Sequence, residues 1–281
     1  MKTTCAKICY IRQDNFISHI AKCARVSYGD ISYQRTTNDV NLFNRLRENK
    51  HLNVCRHGTL YFIIPTNAYS DIRKYVLDLC TYAKYSMHIV NVVRDNKNIY
   101  ISMNGQYYME HLADKELNII CDRFIVTSDE FSKYPITKPI RRHTFAVTTE
   151  ISTSRELNRT SPNNITEMST RYCNFSKDKF GNEITFMNSE SHFNISKLAK
   201  FIIRLMYKID EIGYLFLINR CKLTAQEARE VLPLGTKTEV VYTYTYEEWQ
   251  HILDLRYHGT TGAPHPNAKI VAEYINNVLN K

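Results

Sequence analysis

The chemistry legible in this sequence sits in arginines, glutamates and hydroxyls at particular spacings. Ser154-Arg-Glu-Leu-Asn-Arg159 is followed by Glu167-Met-Ser-Thr-Arg171, so Arg159 and Arg171 flank hydroxyls, a carboxylate and the turn-forming Ser161-Pro-Asn-Asn164. Such a loop can offer guanidinium forks, hydroxyls and backbone N–H groups to one phosphate, a task that suits the planar fork of Arg better than Lys. Read locally, the same residues also suit an ordinary solvated loop with an Arg–Glu pair. A second group is Glu227-Ala-Arg229 with Leu232-Pro233 and Lys237-Thr-Glu239. In a third, His251 and Arg256 fall on one helix, about 140° apart around its axis.

The elements that must carry these groups follow from patterning. Thr59 to Pro65 reads as a strand ended by its proline, and Ser70 to His88 as a Ser-capped helix. Ile140 to Ile151 reads as a strand entering the first motif. Apolar residues from Ile195 to Ile212 step by three and four, marking a long helix whose stripe is expected to face the core. Thr224-Ala-Gln-Glu227 and Thr245-Tyr-Glu-Glu248 are capping boxes. The first opens a short helix carrying Arg229; the second opens a helix through Trp249, His251 and Arg256. Between them Thr238 to Thr245 alternates as a strand, and Pro266 to Asn280 reads as the last helix. Helices and strands mix without a regular βαβ beat, which predicts an α+β fold.

The chain has 281 residues and a formal charge of +9, which implies an anionic partner: nucleotide, phosphorylated cofactor or nucleic acid. Hydrophobic residues at 43% and charged residues at 23% exclude a disordered or fibrous chain. With 8 Gly, 7 Pro, no repeat and no low-complexity block, one continuous domain over 1–281 is expected. No apolar run is long enough to cross a membrane, and the opening MKTTCAKICYIRQDNF lacks the apolar core of a secretory signal. Eight scattered cysteines without a CxxC pair read as reduced thiols in a cytoplasmic protein, and no metal site is expected.

The order of the motifs is informative. Arg159, Glu167, Ser169 and Arg171, then Ala228-Arg229 and Leu232-Pro233, then Thr238-Glu239, Trp249, His251 and Leu255-Arg256 resemble the flavin-dependent thymidylate synthase family (ThyX). The resemblance is closest in Glu167–Gly181, Gln226–Thr238 and Trp249–Pro266, the last with Gly259-Thr-Thr-Gly-Ala-Pro-His-Pro; His51-Leu-Asn-Val-Cys-Arg-His57 is similar, in a weaker form, to the family's early His-containing flavin segment.

That resemblance implies a mixed α/β domain with a central antiparallel or mixed sheet flanked by helices. It also implies a homotetramer that binds FAD and dUMP where subunits meet, with NADPH and methylenetetrahydrofolate as co-substrates. No enzyme cysteine attacks the pyrimidine, and neither a membrane nor a nucleic-acid partner is expected. By position, Glu156, Arg159, Glu167, Ser169, Thr170, Arg171 and Arg229 would bind the nucleotide. Arg256 would be catalytic, polarising the uracil and helping ionise its N3. His51, Asn53, Arg159, Thr160, Ser161, Glu167 and His251 would lie on the cofactor.

The departures cluster on the flavin side. The family's Arg-His-Arg reads Arg159-Thr160-Ser161, an acidic residue before the second early His is Arg56, and a commonly basic position is Glu247. Losing a His and an Arg beside a pyrophosphate removes charge-assisted hydrogen bonds of about 1.5–3 kcal/mol each. Two alternatives follow: a diverged pyrimidine-nucleotide one-carbon transferase that hydroxymethylates its base without the usual use of FAD, or a non-catalytic nucleotide or nucleic-acid binder.

Overall fold

The computed structural model describes residues 1–30, 36, 38–67, 70, 72–86, 89–159, 164–188 and 195–280. The chain opens with β1 (Lys2–Thr4), β2 (Lys7–Ile11), α1 (Phe16–Arg25) and α2 (Asp39–Glu48). A 3-10 stretch, Leu52–His57, leads into β3 (Thr59–Pro65), α3 (Arg73–Tyr85), β4 (Val90–Arg94) and β5 (Asn98–Asn104). Next come α4 (Gly105–Glu110), α5 (Lys115–Phe124), β6 (Ile125–Val126) and α6 (Ser128–Phe131). The half carrying the arginine motifs holds β7 (Arg142–Glu150), α7 (Ile151–Asn158), β8 (Ile165–Glu167) and β9 (Thr185–Met187). It continues through α8 (Lys197–Asn219), α9 (Ala225–Ala228), β10 (Lys237–Thr245), α10 (Tyr246–Leu253) and α11 (Pro266–Leu279).

Two four-stranded antiparallel sheets, in the orders β4-β5-β3-β6 and β8-β10-β7-β2, form the framework, and β1 pairs with β9 in a short parallel ribbon. Helices flank both sheets, so the fold is the expected mixed α/β arrangement with antiparallel pairing, built on two four-stranded sheets where the resemblance implies one central sheet. No repeat is visible in the sequence, yet the sheets repeat one plan. The first residue of each leading strand pairs with the last residue of the following central strand: Thr59 with Asn104, and Arg142 with Thr245. In both sheets that last residue caps the helix that follows, Asn104 accepting from Tyr107 N–H and Thr245 from Glu248 N–H. The sequences differ because each copy packs different neighbours; what recurs is the strand pairing and the cap.

β7 and β10 are buried along nearly their whole length, which explains their β-branched and aromatic composition. Their core is aromatic. Trp249 meets Phe145 at 5.2 Å and Tyr244 at 5.0 Å in edge-to-face geometry, and its indole N–H donates to the His143 carbonyl at 3.0 Å. The other sheet has a separate apolar core around Phe62, Ile64, Val76, Ile101 and Ile120.

Where the sheets meet, the contact is polar. His57 is fully buried and bridges Thr243 (Nδ1, 2.8 Å) and Thr166 (Nε2, 2.9 Å). Thr243 bonds Thr144 at 2.8 Å, and Thr144 bonds His19 Nε2 at 3.1 Å. Burial holds His57 well below its usual pKa and His19 at about 3, so both rings are neutral.

The long amphipathic helix departs from expectation in its environment. α8 forms at the expected place, capped by Ser196, but its apolar stripe is not core: Leu198, Phe201, Ile202, Leu205, Met206, Ile209, Ile212 and Phe216 are all exposed, Phe201 by 63%. Only Glu211, Tyr214 and Ile218 are buried. Periodicity marks a face that shuns water, and it cannot say whether the same chain covers it. No helix among the described residues is long and apolar enough to cross a membrane.

Candidate functional site

α7 connects the strongest motif to the rest of the site. It starts directly at the end of β7 and carries Ser154 and Glu156, with Arg159 as its C-cap. Ser154 Oγ donates to Glu167 Oε1 at 2.8 Å, and Thr238 Oγ1 of β10 donates to the same oxygen at 2.9 Å. Glu167 is thus fixed by one hydroxyl from a helix and one from the strand beside it.

Arg256 reaches α7 from the other side. Its Nε and Nη2 donate to the Glu156 main-chain carbonyl at 3.0 and 2.7 Å, and Nη2 lies 3.5 Å from the Glu156 carboxylate. Nη1 makes no hydrogen bond among the described residues. The expected helix through Arg256 is interrupted here: α10 ends at Leu253 and Asp254–His258 winds as a π-helical turn. Such turns alter the side-chain period and occur often at functional sites. Gly259, in the left-handed conformation at φ 71°, ends that turn; a Cβ there would sit 2.9 Å from the Gly262 carbonyl oxygen.

The third group is held by different contacts. Ser169 N–H donates to the Ser27 carbonyl, and Ser169 Oγ accepts from Arg171 N–H at 3.3 Å. Arg171 Nε donates to Gln226 of α9 at 2.9 Å, and its guanidinium lies over the Tyr172 ring. Arg229 is the C-cap of α9, three residues after Gln226, and half-buried; like the exposed Arg159, its side chain has no hydrogen bond or ion pair among the described residues. Thr170 is half-buried between Ser169 and Arg171.

The structure therefore joins Glu156 to Arg256, Glu167 to α7 and β10, and Arg171 to the Arg229 helix. Residues 140–279 match the family model Thy1, thymidylate synthase complementing protein. This segment belongs to the Thy1 family. Among solved structures, the UMP/dUMP methylase PolB from Streptomyces cacaoi bound with 5-Br dUMP is 14% identical, covering 99% of this chain and 91% of its own at a TM-score of 0.43. The same enzyme bound with 5-Br UMP gives 15% identity, coverage of 99% and 90%, and a TM-score of 0.44. Thymidylate Synthase X from Helicobacter pylori with FAD and dUMP is 14% identical over 48% of this chain and 66% of its own, at a TM-score of 0.36. No curated protein matches the chain in sequence.

The expected flavin-side residues are not joined to one another among the described residues. His51 and Asn53 are exposed at the start of the Leu52–His57 turn, and neither side chain makes a hydrogen bond among the described residues. The side chain of that turn that reaches the Thy1 segment is His57, through Thr166 and Thr243. His251 is exposed on α10, and Thr160 and Ser161 lie outside the described residues.

Sequence reading passed over Ser27 and Tyr28, which pack on the Ser169–Phe180 segment: Ser27 O accepts from Ser169, and Tyr28 O from Lys179 Nζ. Their contribution is through main-chain carbonyls, which leave no residue-type signal. It also passed over the role of Thr148, which donates to the buried Glu239 at 2.7 Å, where Lys237 Nζ approaches the other carboxylate oxygen at 2.7 Å.

Proposed function

We propose that this chain is a flavin-dependent thymidylate synthase-like enzyme that transfers a one-carbon unit from methylenetetrahydrofolate to C5 of dUMP, with NADPH as reductant. Residues 1–281 act as one catalytic unit, in a cytoplasmic homotetramer. The observation that carries this reading is the Arg256 fork, fixed on the Glu156 carbonyl inside the Thy1 segment with Nη1 left over. A fixed cation beside a uracil lowers the cost of charge developing on its ring when N3 loses its proton, and it needs no reorganisation to do so. Arg159 and Arg229, unpaired within the described chain, suit the nucleotide phosphate, with Ser169, Thr170 and Arg171 beside them. Two hydroxyls holding Glu167 support a role for it in orienting the nucleotide from the α7 side.

The residues assigned to FAD suit it in their donor chemistry: Arg159 is an unpaired cation for a pyrophosphate, and His51, Asn53 and His251 expose hydrogen-bonding groups. Thr160, Ser161 and Glu167 complete that set. The flavin, when bound, supplies the electrons that complete the methyl group. The exposed face of α8 supports assembly, because eight large apolar side chains in one row match what a second copy of the helix would cover.

A second reading is favoured by the Arg159-Thr160-Ser161 triplet, which holds one cation where the family has three basic groups. On that reading the methylene joined to C5 is captured by water, giving a hydroxymethyl base with no net reduction. The test is the visible spectrum of the purified protein with FAD and dUMP, followed by mass analysis of the product. A bound, reducible flavin and dTMP support the first reading. A colourless protein that makes a hydroxymethyl nucleotide without NADPH overturns it in favour of the second.

A further inference from the structure

A cavity of about 200 Å³ lies between the two sheets, at the start of β3 and β7. It lies at the opposite end of β7 from α7: Arg142 opens the strand and Glu150 closes it, about 26 Å away at the usual strand rise. Its floor includes Arg142, which is 7% exposed. Nε donates to Thr59 Oγ1 at 3.1 Å and Nη2 to the Arg56 carbonyl at 2.7 Å, while Nη1 has no hydrogen-bond partner. No carboxylate forms an ion pair with this guanidinium among the described residues. Burial lowers its pKa, offset in part by the charge of Glu248, whose carboxylate is committed to the cap of α10. An Arg with a buried, unmatched donor and no counter-ion is costly, and such groups are retained where something else completes them.

The rest of the cavity is preformed. Gln13 clamps Thr59 at both ends, its Nε2 donating to the Thr59 carbonyl at 2.7 Å and its Oε1 accepting from Thr59 N–H at 2.8 Å. The Tyr61 hydroxyl accepts from the Arg142 main-chain N–H at 2.8 Å, and Tyr61 lines the cavity with Arg142. Leu60, Phe16 and Val126 add apolar wall. At Arg12 the rim has a second guanidinium, already paired with Asp129 at 2.6 Å.

We propose that this cleft binds a small organic carboxylate, its carboxyl group paired with the Arg142 guanidinium and its body lying against Tyr61 and Leu60. The apolar wall favours an organic acid over a bare oxyanion, and the volume admits about ten non-hydrogen atoms at close packing. This site is separate from the nucleotide site and does not depend on the proposed reaction.

The test uses the full chain and two probes of one shape, benzoate and its neutral isostere benzamide, titrated by calorimetry or ligand-observed NMR. Benzoate is expected to bind at least about tenfold more tightly than benzamide, the scale of a charged hydrogen-bonding pair. Arg142→Gln is expected to remove that difference. If that buried substitution prevents folding, Ser128→Trp, on the exposed rim, keeps the test: it is expected to block benzoate without altering the fold. Equal binding of the two probes, or benzoate affinity unchanged in a folded Arg142→Gln or in Ser128→Trp, overturns the site. Displacement of benzoate by equimolar inorganic phosphate overturns the assignment to carboxylates. Competition between benzoate and dUMP overturns its independence from the nucleotide site.

Discussion

Arg256 holds the main-chain carbonyl of Glu156 with two donors at 3.0 and 2.7 Å, tying the π-helical turn to the last turn of α7. Glu156 lies in the last turn of α7, where helix carbonyls run out of intrahelical donors, so the bond fixes the fork and helps finish the helix. Arg256→Ala is expected to abolish turnover while circular dichroism and cooperative unfolding persist. Arg256→Lys keeps the charge and loses the two-point anchor, so kcat should fall by at least about a hundredfold, with a smaller change in dUMP affinity. Wild-type rates in the alanine variant would remove Arg256 from the site.

Glu167 Oε1 accepts from Ser154 and Thr238 together. Thr238→Val removes one donor with little change of shape. It should cost about 1 kcal/mol of stability and weaken dUMP by about fivefold, read by chemical denaturation and equilibrium binding.

The α8 stripe predicts assembly. Phe201 and Ile209 are 63% and 51% exposed, so replacing both with Glu should leave a single chain folded. Light scattering is expected to show an oligomer for the natural chain and a monomer for the double variant, with turnover lost where copies complete one another's site. A monomeric natural chain would refute this.

Stability should fall on acidification. His143 is held at about 4, against 6.5 for a free imidazole, first by burial and then by the Arg141 charge. A histidine depressed in the folded state stabilises fully above about pH 6.5, and that contribution drains away as pH drops towards 4, because the unfolded chain takes the proton first. It is of order 2–3 kcal/mol. His143→Gln should flatten the fall in Tm across that window.

Trp249→Ala should cost about 3–5 kcal/mol, since it empties a site 1% exposed and orphans the His143 carbonyl. Thermal unfolding checks it.

Much of this architecture is legible in the sequence wherever the signal is local. The strand at Thr59–Pro65 and both capping boxes sit where residue types place them, because a proline stop and a Thr-x-x-Glu box act within a few residues. The Arg256 helix is only half legible: the capping box fixes its start, while the π-helical turn depends on tertiary contact with Glu156. β4 and β5 are less legible: they pair with each other across a short turn, but the hairpin is held in its sheet by β3, a separate stretch of chain that pairs with β5 and not with β4. The Arg142 cleft has no local signature at all: its walls come from β2, β3, β6 and β7.

The buried chain from His19 through Thr144, Thr243 and His57 to Thr166 has one more property. Both imidazoles are neutral, so each ring has one N–H and one bare nitrogen, and each threonine hydroxyl has one proton to give. If His57 carries its proton on Nδ1 and each hydroxyl gives within the chain, Thr243 gives to Thr144 and Thr144 to His19 Nε2, which leaves the His19 proton on Nδ1. If His57 carries it on Nε2, every bond between the rings reverses and His19 is protonated on Nε2 as well. As long as each hydroxyl gives its proton within the chain, the two rings, on α1 and beside β3, share one tautomer and change together, as a two-position array of hydrogens running between the buried histidines.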